Sequence, residues 1–576
     1  MSNRFEEDFN LWIKNSKEEK DLLQELKKIQ FDEEEIEDRF YKDLEFGTAG
    51  IRGLIGVGKN RMNVFVVGRI TQAFCEFLKK EKQSCSVVIS YDSREKSLVF
   101  ARICASVFFA NGFKVYIFKE MAPVPVLSFA IRELSCDAGV MITASHNSYK
   151  YNGYKLYGSD GGQILESDTK KIYEIFSSLD VFNDVKKISF EEAFKGGGVQ
   201  YVSDLIIEKY YEKINLYLIN KEVLKNKDFS VIYTPLNGSG KNFVFNILKR
   251  CCVENFSFVE EQKEQDPSFK TCKTPDPGNK DALFLGIRYC KMKKADILIA
   301  TDPDGDRVGV AVPLNETKKE YIALNGNEIA VLMFNYICKQ RKNSGNFPSR
   351  PIAFRTIVSS NLIDIIAKEY GVEIKSVMTG FKHIGEQIKI LQKQGREKDF
   401  IFAFEESNSY LFGSYVRDKD GVFSAVLLCE MAAFYKEQKK TILEVLEEIY
   451  IKYGYCFSCV ENFYFTGVKA KQNMNNIMQN LRNSKIEKIG EFVVEKILDY
   501  SVKLKYDLKK KTKECLEFSK QNILEYRLKG NISLIVRPSG TEPKIKVYYN
   551  VYSKTKEEAF KLKRNLIDVF NIKKYF

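Results

Sequence analysis

Several residue types on which enzyme chemistry often depends are scarce. The 576-residue chain has two histidines, His146 and His383, and one tryptophan. A serine–histidine–aspartate hydrolase has almost no choice of base: Ser145 precedes His146, but neighbours on an extended chain point apart, and no G-x-S-x-G turn occurs. No uncharged stretch approaches the ~20 apolar residues of a membrane span, and the opening MSNRFEEDFN is acidic and polar where a secretory signal would be basic and then apolar. The single C-x-x-C, Cys456 to Cys459, lacks a second pair for a zinc ribbon and lies in a strand-like run. The remaining cysteines of the 13 are scattered, apart from Cys251 and Cys252, so the chain reads as a reduced cytoplasmic protein without a disulfide framework. No G-x-G-x-x-G opens a helix, and residues 237–242 (NGSGKN) lack the first glycine and the final hydroxyl residue of a P-loop.

Apolar material is plentiful. Hydrophobic residues make up 44% of the chain, with 43 Phe and 31 Tyr, enough for several cores. At ~150 residues per domain the length suggests about four domains. The net charge of +13 is dispersed: clusters such as residues 507–513 (DLKKKTK) are flanked by acids and lack interleaved aromatics, so they read as solvated helix faces. Neither a nucleic-acid nor a membrane partner is expected, whereas a small anionic substrate suits the balance.

Helical spacing over residues 64–80, a buried-strand run at 86–90 and helical spacing again over 98–110 predict βαβ units and a mainly parallel sheet, hence an α/β fold. Breaks at Gly196 to Gly198, before Asn327 and at Tyr453-Gly454 divide the chain into pieces 1–204, 205–324, 325–453 and 454–576. Three segments repeat one pattern, an Asp, a short apolar run and a polar loop: Asp137 to Ser145, Asp296 to Asp304 and Asp399 to Ser407. Such loops sit at the carboxyl ends of strands, where open α/β sheets place ligands.

The loop contents differ. Ser145 is a candidate phosphoryl acceptor, which needs an exposed hydroxyl, cations and a metal more than a histidine. Asp302, Asp304 and Asp306 alternate around Gly305 and can converge on one hard cation; an EF-hand is excluded by Arg307 and Pro313. The D-x-D start also resembles an aspartate-nucleophile phosphatase loop, except that Asp306 places a third charge where that chemistry wants a hydroxyl or small apolar group. Glu405, Glu406 and Ser407 suit hydroxyl recognition, or else a helix N-terminus. Arg537 to Lys544 (RPSGTEPK) combines a guanidinium, hydroxyls and a glycine, the parts of an oxyanion cradle.

Taken together, FGTAGIRG (46–53), TASHN with YNGYKLY (143–147, 151–157), DPDGDR (302–307), TGFKHIG (379–385), FEES (404–407) and RPSGTEPKIKVY (537–548) resemble, in order, the motifs of the α-D-phosphohexomutase superfamily, in its longer phosphoglucomutase/phosphopentomutase-like branch. The resemblance implies four domains around a cleft, three related α/β mixed-sheet domains and a C-terminal α+β domain. The four pieces would carry, in turn, the phosphoserine loop, the metal loop, the sugar reader and the distal phosphate site. It implies Ser145 as phosphate carrier, with Asp302, Asp304 and Asp306 holding Mg²⁺ together with a phosphoserine oxygen. Arg52, Lys155 and Arg307 match basic positions near the reacting phosphate, and either Lys155 or a residue of the Ser145 loop would be the acid/base. Thr379, Gly380, Lys382, Glu405 and Ser407 would read the sugar; Arg537, Ser539, Gly540 and Thr541 would hold the other phosphate. The implied reaction interconverts glucose 1-phosphate and glucose 6-phosphate through glucose 1,6-bisphosphate, with mannose and pentose phosphates as rival substrates and a sugar phosphatase or an inactive sensor as rival classes. Ser148, His383 and Ser409 depart from the usual motifs, where Pro, an aromatic residue and Gly are common.

Overall fold

The computed structural model describes residues 2–47, 50–465, 470–484, 486–539 and 543–575. The chain forms two compact units, one of Met1–Leu324 with Phe381–Phe400 and Asn408–Gln438, the other of Asn325–Gly380 with Ile401–Ser407 and Lys439–Phe576.

The first unit contains two mixed sheets. In the larger, the strands Ser86–Tyr91, Lys114–Ile117, Ala138–Ile142 and Val199–Tyr201 run parallel; Ser86–Tyr91 and Ala138–Ile142 are buried on both faces or nearly so, as a strand covered by helices requires, while Lys114–Ile117 and Val199–Tyr201 are partly exposed. Helices Val64–Lys79 and Ser97–Ala110 supply that cover, close to the predicted bounds, and their apolar faces join the sheet in one core with Trp12, Phe74 and Phe108. The sheet is not wholly parallel: Ala138–Ile142 pairs antiparallel with Tyr151–Gly158, which pairs antiparallel with Gly50–Leu54. The connection after Ile142 is therefore a hairpin loop, short enough that the return strand carries Lys155 back beside it. The second sheet repeats the scheme, with Ile297–Thr301 parallel to Ser230–Thr234 on one side and antiparallel to Val308–Pro313 on the other.

The second unit contains the parallel pair Ile352–Thr356 and Glu373–Val377, with Phe400–Glu405 beside the former, and a C-terminal antiparallel sheet ordered from Tyr455–Tyr464 through Lys544–Ser553, Ile532–Pro538, Leu524–Leu528 and Phe492–Asp499 to Leu504–Asp507 and Thr512–Cys515. The Lys-rich segment around residues 507–513 is thus a hairpin, correcting the helical expectation: cross-strand pairing of Leu504–Asp507 with Thr512–Cys515 settles what charge content alone left open. A small core of Ile357, Val358, Met378, Tyr500, Ile535 and Tyr548 packs the two parts of this unit together. Among the described residues no helix is long and apolar enough to cross a membrane, and the cysteines are free thiols.

Candidate active site

Ser145 follows the buried strand Ala138–Ile142 and adopts a left-handed backbone, φ 53°, which costs a non-glycine residue about 1–2 kcal/mol. Its surroundings hold it there. The Arg94 guanidinium, fully buried, donates to the carbonyls of Ser145 and Asn147 at 2.5 Å and of Ser148 and Tyr151 at 2.9 Å. Asp92 fixes the arginine from the other side, 3.3 Å from Nε, and accepts from the Thr143 hydroxyl at 2.6 Å, while the Thr143 hydroxyl accepts from the Ser145 N–H at 2.7 Å. Burial pushes the Asp92 pKa up and the Arg94 pKa down, and each partner's charge opposes that shift. Neither residue was singled out from the sequence. The available signal was Tyr91-Asp92-Ser93-Arg94 at the carboxyl end of a strand, the same placement as the other chemical loops.

The Ser145 hydroxyl is buried, not exposed as expected for an acceptor, with 1% of the residue accessible. It donates to Asp302 Oδ2 at 2.9 Å and lies 3.1 Å from His146 Nδ1, so an adjacent serine and histidine do meet once the left-handed turn bends the chain. Asp302 follows the strand Ile297–Thr301; its Oδ1 accepts from the backbone N–H groups of Asp306 at 3.1 Å and Arg307 at 3.0 Å. Gly305, at φ 64°, makes that tight turn possible. The turn is wedged from several sides: the N–H of Val124 donates to the Asp304 carbonyl at 2.9 Å, Ser239 donates to Pro303 O at 2.9 Å, and a Cβ on Gly421 would lie 2.6 Å from Arg307 O. The NGSGKN segment, rejected as a P-loop, is thus a buttress for the acidic loop.

Asp302, Asp304 and Asp306 are completely buried, with carboxylate oxygens within 4.8 Å of one another. Burial and then the two neighbouring carboxylates push the Asp302 pKa far above the usual carboxylate range. Burial acts the same way on Asp304, but the Lys155 ammonium at 2.6 Å, the Asp302 hydrogen bond and Lys419 bring it well below that range. Lys155 also lies 2.9 Å from Asp306, as does Lys419. Lys419 was another residue missed in the sequence; its Asp418-Lys419-Asp420-Gly421 setting is a second acidic turn ending in glycine. The outer oxygens Asp304 Oδ1 and Asp306 Oδ1 are buried without a hydrogen-bond partner among the described residues. Oxygen-only donors converging in this way fit a hard divalent cation such as Mg²⁺. Arg52 donates to Asn147 Oδ1 at 2.7 Å, and burial lowers its pKa against the pull of Asp304. Arg307 is partly buried and interacts electrostatically with Asp302.

The remaining candidates divide between the units. In the first, Lys382 is paired with Glu166 at 2.7 Å. In the second, Glu405 ends its strand and accepts from the Gly380 N–H at 2.8 Å; Thr379 donates to Gln521 Oε1 at 3.5 Å. Ser407 lies in the turn that follows, and the next element is the strand Ser409–Leu411, so this is a loop and not a helix N-terminus. Arg537 and Ser539 are partly exposed at the end of Ile532–Pro538, where the Ser539 N–H donates to Lys544 O at 2.8 Å. Gly540 and Thr541 lie outside the described residues. Tyr548 links the two loops: burial, then the charges of Glu406 and Glu405, raise its pKa, and Arg537 opposes them.

Comparison with known proteins points one way. Residues 43–181, 208–315 and 325–453 match the phosphoglucomutase/phosphomannomutase alpha/beta/alpha domains I, II and III, and residues 494–565 match the C-terminal domain. A phosphoglucomutase of Staphylococcus haemolyticus is 32% identical over 89% of this chain and 91% of its own; one of Staphylococcus epidermidis is 34% identical over 90% and 92%. Crystal structures of parafusin, a phosphoglucomutase, from Paramecium (TM-score 0.66, 16% identity, 93% and 96% coverage) and of a phosphoglucomutase/phosphomannomutase family protein from Burkholderia thailandensis (TM-score 0.65, 18% identity, 91% and 96% coverage) share the fold.

Proposed function

The chain belongs to the phosphoglucomutase/phosphomannomutase family, and from that premise we propose that it is a phosphosugar mutase interconverting glucose 1-phosphate and glucose 6-phosphate, with Ser145 as the phosphate carrier. The observation that carries the assignment of Ser145 is its buried hydroxyl, 2.9 Å from Asp302 at the edge of three converging carboxylates.

In this reading Asp302, Asp304 and Asp306 are the residues that would hold Mg²⁺ beside the phosphorylated Ser145. When bound, the ion would supply positive charge for the phosphoryl oxygens. Arg52, Arg307, Lys155 and Lys419 supply the rest, because three carboxylates and a phosphoserine of about −2 would otherwise repel a phosphosugar of about −2. In the forward half-reaction a sugar hydroxyl oxygen forms the new P–O bond as the P–Oγ bond of phosphorylated Ser145 breaks. The hydroxyl proton passes to a base, and Ser145 Oγ regains a proton. Either Lys155, buried against the carboxylates, or a residue of the Ser145 loop serves as the acid/base; within that loop His146, 3.1 Å from Oγ, is the group in reach of that oxygen. The resulting glucose 1,6-bisphosphate then turns end for end and returns its other phosphate to Ser145.

Thr379, Gly380, Lys382, Glu405 and Ser407 read the sugar in both orientations, while Arg537, Ser539, Gly540 and Thr541 hold the non-reacting phosphate. These roles distribute over four domains, 1–204, 205–324, 325–453 and 454–576, in a cytoplasmic enzyme whose partners are phosphosugars. The test is intact-mass and peptide mapping of the phosphorylated enzyme, with isomerisation and inorganic phosphate release measured side by side. Phosphate on Ser145 that chases into glucose 6-phosphate, with release far slower than isomerisation, is the expected outcome. Phosphate on Asp302, or release as fast as isomerisation, would establish the phosphatase instead. Faster turnover of a mannose or pentose phosphate than of glucose 1-phosphate would reassign the substrate.

A further inference from the structure

Lys382 and His383 occupy the second and third positions of the helix Phe381–Lys393, and both are buried, to 4% and 7% accessible. Basic side chains there face the positive end of the helix dipole, and a buried ammonium needs a counter-charge. Glu166 supplies it. One oxygen, Oε1, lies 2.7 Å from Lys382 Nζ and 3.6 Å from His383 Nε2. Glu166 is itself the first residue of the helix Glu166–Ser178, so its carboxylate sits where two helix N-termini both favour negative charge. Burial raises the Glu166 pKa, but the His383 hydrogen bond and the Lys382 charge bring it down to about 2, so it stays ionised at neutral pH.

We infer that Glu166 is a positioning residue of the sugar site: by pairing with Lys382 and His383 it fixes the Lys382 ammonium, a point charge on a flexible four-carbon stem, where the phosphosugar meets it. This rests on the reading of Lys382 as a substrate-binding group. It also gives His383 a role: the histidine that stands in place of the usual aromatic is the second partner of the same carboxylate. Removing the carboxylate leaves the buried Lys382 ammonium short of a counter-charge, so a loss of stability accompanies the effect on binding, and the two are separated by KM and kcat.

The test is a double-mutant cycle of Glu166→Gln and Lys382→Ala, with glucose 1-phosphate kinetics and thermal melting. E166Q is expected to raise KM three- to tenfold with kcat within twofold and to lower Tm by a few degrees, and to add nothing further to KM in the K382A background. Glu166→Asp, which keeps the charge and shortens the reach, should fall between E166Q and the wild type. An unchanged KM in E166Q while K382A raises it, or fully additive effects, would overturn the inference and leave Lys382 as a substrate group that needs no positioning. An unchanged KM in K382A would instead remove Lys382 from the sugar site, and the inference with it.

Discussion

Replacing Arg94 by lysine isolates geometry from charge at the Ser145 loop. The two terminal nitrogens of Arg94 each serve two carbonyls, four in all. A lysine keeps the positive charge near Asp92 but offers one nitrogen, which leaves about two buried carbonyls without a donor at roughly 1–3 kcal/mol each. The expected strain of about 2–6 kcal/mol adds to the ~1–2 kcal/mol already held in the left-handed Ser145 backbone. The cores lie elsewhere, so the loop relaxes locally and the chain does not unfold. A shift of ~1 Å in a reacting group costs ~10²-fold in rate, so kcat/KM for glucose 1-phosphate should fall about a hundredfold or more, with a Tm loss of only a few degrees. Isomerisation kinetics and a thermal melt on the same preparation decide the point. A kcat/KM within threefold of wild type would show that the loop holds its shape without the arginine.

Three further outcomes follow from the same geometry. Ser145→Ala abolishes phosphate transfer and also removes a hydrogen bond to buried Asp302, so a stability loss of about 1–3 kcal/mol should accompany the loss of turnover; turnover at the wild-type level would end the carrier role. Asp304→Asn removes one of three carboxylates from the cation site and should weaken Mg²⁺ binding, measured calorimetrically, and slow isomerisation by orders of magnitude; wild-type activity that survives thorough chelation would refute the metal assignment. Asp420 is buried, accepts from Tyr210, Tyr415 and the Phe423 N–H, and has its pKa raised by that burial to about 6. Between about pH 4 and 6 the folded chain keeps a proton that the unfolded chain has lost, so this residue's contribution to stability falls as pH rises, by roughly 3 kcal/mol. Asp420→Asn should flatten that part of the denaturant-unfolding profile, and an unaltered slope would count against it.

Much of the site was legible in the sequence because its parts are local. An apolar run of five residues makes a buried strand wherever it pairs, and the loop beyond it must lie at the strand's end, so Ser145 and Asp302 could be placed on loops, and Glu405 at a strand's carboxyl end, without coordinates. The alternation of Asp302, Asp304 and Asp306 about Gly305 was likewise a local statement, since a single turn brings them together. Arg94 and Lys419 escaped because their roles depend on partners 51 and 113 positions away, carbonyls and a carboxylate that carry no pattern of their own. The exposure of Ser145 was misread for the same reason: its carboxylate partner is 157 residues distant.

Residue order alone, then, determined the α/β class, the position of the chemical loops and the donor types each offers, because strand, turn and ligand preferences act over a few neighbouring residues. Tertiary structure alone decided which sheet neighbours run antiparallel, how deeply Ser145 is buried, and which cations offset the carboxylates. Those depend on distances between segments far apart in the chain, and Coulomb and hydrogen-bond energies are set by distance and burial, not by order.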